Sequence, residues 1–290
     1  MTLLIQYTLL FASVLMLVAL GGALVLKFLP ITVGPLVMIV AATGASAVLG
    51  LLCSLLLGFA AIHFKADQTI TGTAINMLAT AAATVGVKAM NAATSGGKDT
   101  TSDIAYPQSK DLLALNLGDF SLSWFMVIAI VALVVSFVVL FKTRFGLRLR
   151  ACGEHPQAAD SVGISVSKMR YSGVLLSGIL GGLGGIAYIT AGVSLWKFEN
   201  GIAGFGFLAM AVMIFGGWHP LKIALASLLF GFLRALGNVY SGFDFMVELN
   251  IPSVVYNMLP YVISLVVLMA SSKNSRAPKA AGIPYDKGQR

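Results

Sequence analysis

The chain has 290 residues, of which 58% are hydrophobic and only 10% are charged, against roughly 25% charged in an ordinary soluble domain. This excludes a soluble globular protein, and because backbone groups in lipid must be paired internally it leaves a helix bundle or a closed barrel; runs of Leu, Val, Ala and Ile without two-residue alternation select helices. The formal net charge of +8 crowds into a few loops and the tail rather than onto a basic face interleaved with aromatics, which excludes nucleic acid and fits loops lying against membrane lipid.

A spanning helix needs about 20 apolar residues. The first candidate, Leu3–Leu26, has neither a charged leading region nor a small-residue cleavage site, so it reads as a retained helix rather than a signal peptide. Next come Pro35–Ile62, carrying Cys53, and Thr69–Met90, in which Thr69, Thr73 and Asn76 form a polar stripe at helical spacing. Such a stripe either lines the route of a polar solute or bonds a neighbouring helix. The loop Asn91–Ser121 contains Gly96-Gly97-Lys98-Asp99-Thr100. It lacks the first glycine and the Ser/Thr after lysine of a nucleotide phosphate loop, so it is expected to be a flexible polar connection.

After Leu122–Phe141, the stretch Lys142–Arg170 is a basic, polar loop between two long apolar runs. Pro156 suits the first position of a helix and Gly163 suits the stop. A surface helix of about two turns is therefore expected there, exposing Ala158 and Ala159 beside Glu154 and Asp160 and able to seat in a partner's groove. Cys152, in the same loop, and Cys53 are too few and too far apart in context for a disulfide framework or a zinc site, and are expected to be free thiols.

In Tyr171–Leu195, Gly173, Ser177, Gly181 and Gly185 fall four apart, a small-residue face that packs within the bundle or against another subunit. Gly204-Phe205-Gly206-Phe207-Leu208-Ala209 matches the loose dinucleotide pattern, but no strand precedes it, so it starts a membrane helix. The short run Phe205–Phe215 is separated from Leu221–Tyr240 by Gly216-Gly217-Trp218-His219-Pro220. Broken helices at membrane depth are tolerated inside protein or beside a water-filled cavity, so this pair, with Phe205 and Trp218, points to the translocation path. Arg234 lies within an apolar run, and an intramembrane charge either marks a functional site or snorkels to the outer interface. The last span is Val254–Ala270.

The fold class expected is an all-α polytopic bundle of about eight membrane segments including the broken pair. A membrane domain covers residues 1–272, with the basic loop at 142–170, and a basic tail covers 273–290. The excess of Lys and Arg places the 142–170 loop and the tail in the cytoplasm, the acidic loops 91–121 and 241–253 outside, and by parity the N-terminus in the cytoplasm. His63, His155 and His219 are scattered without carboxylates at ligand spacing, so neither a metal site nor acid–base catalysis is expected.

The run from Thr143 to Ile164, including Gly153-Glu154-His155-Pro156-Gln157-Ala158-Ala159-Asp160-Ser161-Val162-Gly163, resembles the coupling loop of bacterial ABC-transporter permeases. The branch it resembles imports branched-chain amino acids, ribose-type sugars and nucleosides. Gly181-Gly182-Leu183-Gly184-Gly185, Gly206-Phe207-Leu208-Ala209-Met210-Ala211 and Ile214-Phe215-Gly216-Gly217-Trp218-His219-Pro220 resemble it too. Lys65-Ala66-Asp67-Gln68-Thr69-Ile70-Thr71-Gly72-Thr73-Ala74-Ile75-Asn76 and the tail Ala277–Ile283 look most like permeases paired with basic-membrane-lipoprotein receptors, which import nucleosides.

The resemblance implies a lipoprotein receptor at the outer face, a second permease subunit, and separate ATPase subunits that hold ATP and Mg and grip residues 154–163. No cofactor is then expected on this chain. It departs from the pattern after Gly21-Gly22, where Ala23–Pro30 replaces a polar segment and no glutamate occurs before Glu154. Rival readings are a permease for simple sugars or branched-chain amino acids, a secondary transporter or channel, and a non-transporting scaffold. The secondary transporter lacks the Asp or Glu inside a span that an ion relay would need.

Overall fold

A computed structural model describes residues 14–29, 34–99, 101–105, 114–117, 120–190, 195–197, 205–239 and 242, isolated positions between 255 and 269, and residues 279–280 and 283–287. The first half of the expected Leu3–Leu26 span, the 241–253 loop apart from residue 242, and much of the last span lie outside them.

The helices in chain order are α1 (Val14–Phe28), α2 (Pro35–Gly58), α3 (Gln68–Ser95), α4 (Trp124–Lys142), α5 (Arg144–Glu154), α6 (Pro156–Ser161), α7 (Val166–Thr190), α8 (Phe205–Phe215) and α9 (Pro220–Val239). Helix α2 runs on through a wider π turn at Phe59–His63, so that Leu36–His63, Ile70–Ser95, Trp124–Lys142 and Val166–Thr190 are each long and apolar enough to cross a membrane. The polytopic helical class expected from composition holds. Four short strands add to it: β1 (Asp103–Ala105) pairs antiparallel with β4 (Leu195–Lys197), and β2 (Ala114–Leu117) with β3 (Phe120–Ser123). Two expected boundaries shift as a result. Leu195 belongs to β4 rather than to a helix, and Leu122 to β3.

The core is the crossing of α2 and α7, with α1 beside both. Glycine makes this contact possible. A Cβ on Gly50 would strike the carbonyl oxygen of Gly178, and one on Gly182 would stand 2.5 Å from the Ser46 carbonyl oxygen. In lipid, where no hydrophobic gain drives helices together, such close backbone approach supplies the packing that does. The residues at the crossing are Gly178 and Gly182, next to the Gly173-Ser177-Gly181-Gly185 row, and all six are buried in α7. The small-residue face is thus absorbed within the bundle. Ala19, Ala23, Ile39, Ala42, Ala83, Val87 and Ile186 continue the core along α1, α2, α3 and α7.

By contrast α4 presents Met126, Ile130, Val131, Val134, Val135 and Val138 outward. An apolar helix of 19 residues so little buried is covered by lipid hydrocarbon or another subunit.

The connections sort into two ends. One end, here the basic end, carries residues 64–67, 142–165, 216–219, 279–280 and 283–287. They are tied together by an ion pair between Lys65 and Asp286 at 2.9 Å, a hydrogen bond from the Ala280 N–H to the Gly153 carbonyl at 3.2 Å, and the His219 ring 5.1 Å from Phe141 near the end of α4. The opposite end carries the two strand pairs. There Lys27 Nζ donates to Asn91 Oδ1 at 3.0 Å, and Asn91 Nδ2 donates to the carbonyls of Thr101 and Asp103. Gly96 and Gly97, expected as a flexible loop, close α3 with φ of +63° and +85° and a 2.7 Å bond from the Gly97 N–H to the Ala92 carbonyl.

Candidate coupling surface and solute path

The basic loop is more ordered than its composition suggests, because it contains a second helix, α5, that the sequence reading did not anticipate. Thr143 leaves α4 in an extended conformation, and its hydroxyl oxygen accepts from the Gly146 N–H at 3.2 Å, capping α5. A Cβ at Gly146 would collide with the carbonyl oxygens of Val139 and Leu140, so this glycine lets α5 fold back onto the last turn of α4. Gly146, Leu149, Cys152 and Gly153 form the buried face, while Arg144, Leu147 and Arg148 are exposed. Leu149 packs with Leu140, Phe141, Phe145, Met169 and Leu180. Arg150 lies 4.7 Å above the Phe141 ring.

Helix α6 follows with the start and stop expected of it. His155 joins the two helices, Pro156 takes the first turn of α6, and Gly163 turns away at φ +83°. The Gly163 N–H donates to the Asp160 carbonyl and the Ile164 N–H to the Ala159 carbonyl, which seals the end. The two alanines, expected to be exposed together, divide. Ala158 is exposed, but Ala159 is only 3% exposed and sits in a cluster with Cys152, Val166, Ile164, Met169 and Tyr285. Consecutive helical positions diverge by about 100°, so one face cannot carry both. The outward surface is Glu154, His155, Gln157, Ala158, Ser161, Gly163 and Val162, the last 74% exposed. Asp160 is half-buried at its edge.

Both cysteines are free thiols, as expected, and both are buried. Burial pushes the Cys152 thiol up, with the Arg170 charge pulling more weakly the other way, so this thiol is a poor nucleophile while the cluster is closed.

Of the polar stripe expected on α3, Asn76 turns inward and Thr73 does not. Thr73 is exposed and donates to the Ile70 carbonyl at 2.9 Å, and the side chain of Thr69 lies outside the described residues. The inward row is Gln68, Gly72 and Asn76, again four apart. Gln68 is 2% exposed, and neither its amide nitrogen nor its oxygen has a partner among the described residues; the buried Asn76 Oδ1 has none either. Buried amides are normally satisfied, so an orphaned set facing the interior is a place where a polar solute can bond.

The remaining path candidates are not brought together. Gly217 (φ +55°) and Trp218 (φ +64°) make the sharp reversal between α8 and α9, and Gly216 is needed because a Cβ there would stand 2.5 Å from Ile223. The break falls beside the end of α4, at the basic end, rather than at mid-depth as the sequence reading placed it. Arg234 lies about 21 Å along α9 from Pro220 at 1.5 Å per residue, half-buried and within electrostatic reach of Tyr188. Phe205 begins α8, and its side chain lies outside the described residues.

Membrane-length helices around a glycine crossing, with a small capped helix displayed at one end, define a polytopic helical membrane protein. The chain belongs to the family described as branched-chain amino acid transport system / permease component, which it matches over residues 6–272.

Among its relatives is the guanosine ABC transporter permease protein NupQ of Bacillus subtilis, 42% identical over 250 residues, covering 83% of this chain and 76% of the relative. The nucleoside ABC transporter permease protein NupC of Lactococcus lactis is 40% identical over 250 residues, covering 84% of this chain and 76% of the relative. A putative glucose ABC transporter permease of Haloferax volcanii is 29% identical over 192 residues, covering 64% of this chain and 58% of the relative. No solved structure matches the chain.

Proposed function

We propose that the chain is the membrane-spanning permease subunit of an ATP-driven importer of nucleosides. The observation that carries this reading is α6: a short, capped helix whose outward face, centred on Ala158, stands on a closed cluster of Cys152, Ala159 and Val166. A lever has to be rigid beneath and bare above, and α6 is both. The similarity to guanosine and nucleoside permeases supports the choice of cargo over simple sugars or branched-chain amino acids.

In this reading separate ATPase subunits, which hold ATP and Mg, grip residues 154–163. A second permease subunit completes the pathway and a lipoprotein receptor delivers solute at the opposite end. Residues 1–272 form the membrane domain, residues 273–290 a basic tail, and the basic end with both termini faces the cytoplasm of a bacterial cell, because Lys and Arg are retained there. Gln68 and Asn76 offer amide donors and acceptors that suit the edges of a nucleobase.

Reconstituted with its ATPase, partner permease and receptor, the complex is expected to import labelled guanosine only with ATP inside the reach of the ATPase. Uptake that continues without ATP but collapses with the membrane potential would instead establish a secondary transporter. Asn76→Leu, nearly isosteric, is expected to lower nucleoside uptake about tenfold, the equivalent of one neutral hydrogen bond of about 1.4 kcal/mol, with complex assembly unchanged. Uptake kinetics in the same vesicles check this, and unaltered kinetics would remove Asn76 from the solute path.

A further inference from the structure

The described residues of the tail do not hang free in solvent. Ala280 is buried and its N–H donates to the Gly153 carbonyl at the end of α5. Arg170, in the first turns of α7 and only 2% exposed, donates from Nη1 to the Ile283 carbonyl at 3.0 Å and lies 5.8 Å from the Tyr285 ring. Tyr285 packs against the same Cys152–Ala159–Val166 cluster that supports α6. Asp286 then reaches Lys65, which stands at φ +54° between the π turn ending α2 and the start of α3. Three residues further on is Gln68. The tail thus touches, in order, the seat of the exposed helix and the foot of the helix that carries the orphaned amides. A cavity of about 210 Å³ lies beside the seat, between Pro156, Gln157, Arg170 and Pro284, so α6 and the tail have room to move together.

We propose that residues 279–280 and 283–286 are a brace that transmits displacement of α6 to the α2–α3 junction, with Arg170, Tyr285, Lys65 and Asp286 as positioning residues. The proposal rests on α6 being the ATPase's grip. It follows from the contacts: α6 packs on α5 and α7, and the tail ties that unit to α3 through a side-chain pair whose strength as a surface salt bridge is slight but whose geometry fixes the connection. A charged tail carrying one tyrosine anchored by a buried arginine fits a strut better than a solvated end.

The experiment uses the complete transporter in vesicles and reads solute imported per ATP hydrolysed. Ending the chain at Arg276 is expected to lower that ratio about fivefold, the low end of coupling between sites, and to speed maleimide labelling of Cys152, since Tyr285 no longer covers it. Lys65→Asp and Asp286→Lys singly are expected to lower the ratio, and the double swap to restore it; aspartate tolerates the left-handed conformation at 65. Should the truncated chain fail to assemble, the swap decides. A truncated, assembled complex with the wild-type ratio, or single losses that the double swap does not repair, would overturn the brace. If Ala158→Arg leaves the ATPase attached, the grip reading itself fails; if Ala158→Arg detaches it while the tail variants import normally, only the brace falls.

Discussion

Gly50→Ala and Gly182→Ala are each expected to abolish accumulation of the folded chain in the membrane, whereas Gly44→Ala is expected to be tolerated. All are single methyl additions on α2 or α7, so helix propensity favours alanine in each case. What differs is the surroundings. At Gly50 the methyl meets the Gly178 carbonyl, and at Gly182 it meets the backbone of Ser46 and Ala47; at Gly44 nothing lies within 4 Å. Backbone cannot rotate aside as a side chain can, so the helices must separate along a contact that also seats Ile186 and Ser46 against Gly22. Overpacking of this kind costs about 3 kcal/mol or more, a large share of a membrane protein's margin. Detergent-extracted monodisperse yield, followed by denaturation in increasing SDS, measures it. Equal behaviour of Gly44→Ala and Gly50→Ala would mean that α2 and α7 do not cross there.

The second large effect is expected at α6. Ala158→Arg should leave the isolated chain as stable as the parent and yet lose the ATPase by about a hundredfold or more in affinity, since a guanidinium forced into a partner's groove without a counter-charge costs about 3 kcal/mol. Ala159→Arg should fail differently. Its side chain points into the Cys152–Val166 cluster, so the loop itself opens, thermal stability falls and Cys152 becomes reactive. Affinity capture of the ATPase together with thermal unfolding of the permease separates the two. An Ala158→Arg chain that still captures the ATPase normally would show that the exposed face of α6 is not the docking surface.

The membrane helices were legible because a run of about 20 apolar residues has few alternatives in lipid. Their ends were less so, for reasons particular to each. Helix α7 starts at Val166, before the apolar run at Tyr171, because Lys168 and Arg170 look like loop residues by hydropathy although Arg170 is buried against the tail. Helix α5 was hidden by its arginines; its signal was the spacing of Gly146, Leu149, Cys152 and Gly153 on one face. On α3, where Gln, Thr and Asn recur on several faces, a stripe beginning at Thr69 and one beginning at Gln68 look equally plausible by spacing alone, and packing against the bundle turns the second inward. The start and stop of α6 could be read from Pro156 and Gly163. Which of Ala158 and Ala159 faced outward depended on Val166 and Tyr285, residues that lie outside the Pro156–Gly163 segment itself. The tail showed only its charge in the sequence, and its contact with the α6 seat runs through Tyr285.

The glycine crossing has a consequence for biogenesis. Gly50 and Gly178 are separated by roughly 130 residues, which at a synthesis rate of about 5–20 residues per second takes roughly 6 to 26 seconds to translate. During that interval the side of α2 that will meet α7 has no partner from its own chain, and its bare backbone is open to any other small-faced helix nearby. Whatever accompanies the nascent chain through that wait governs how much of it matures.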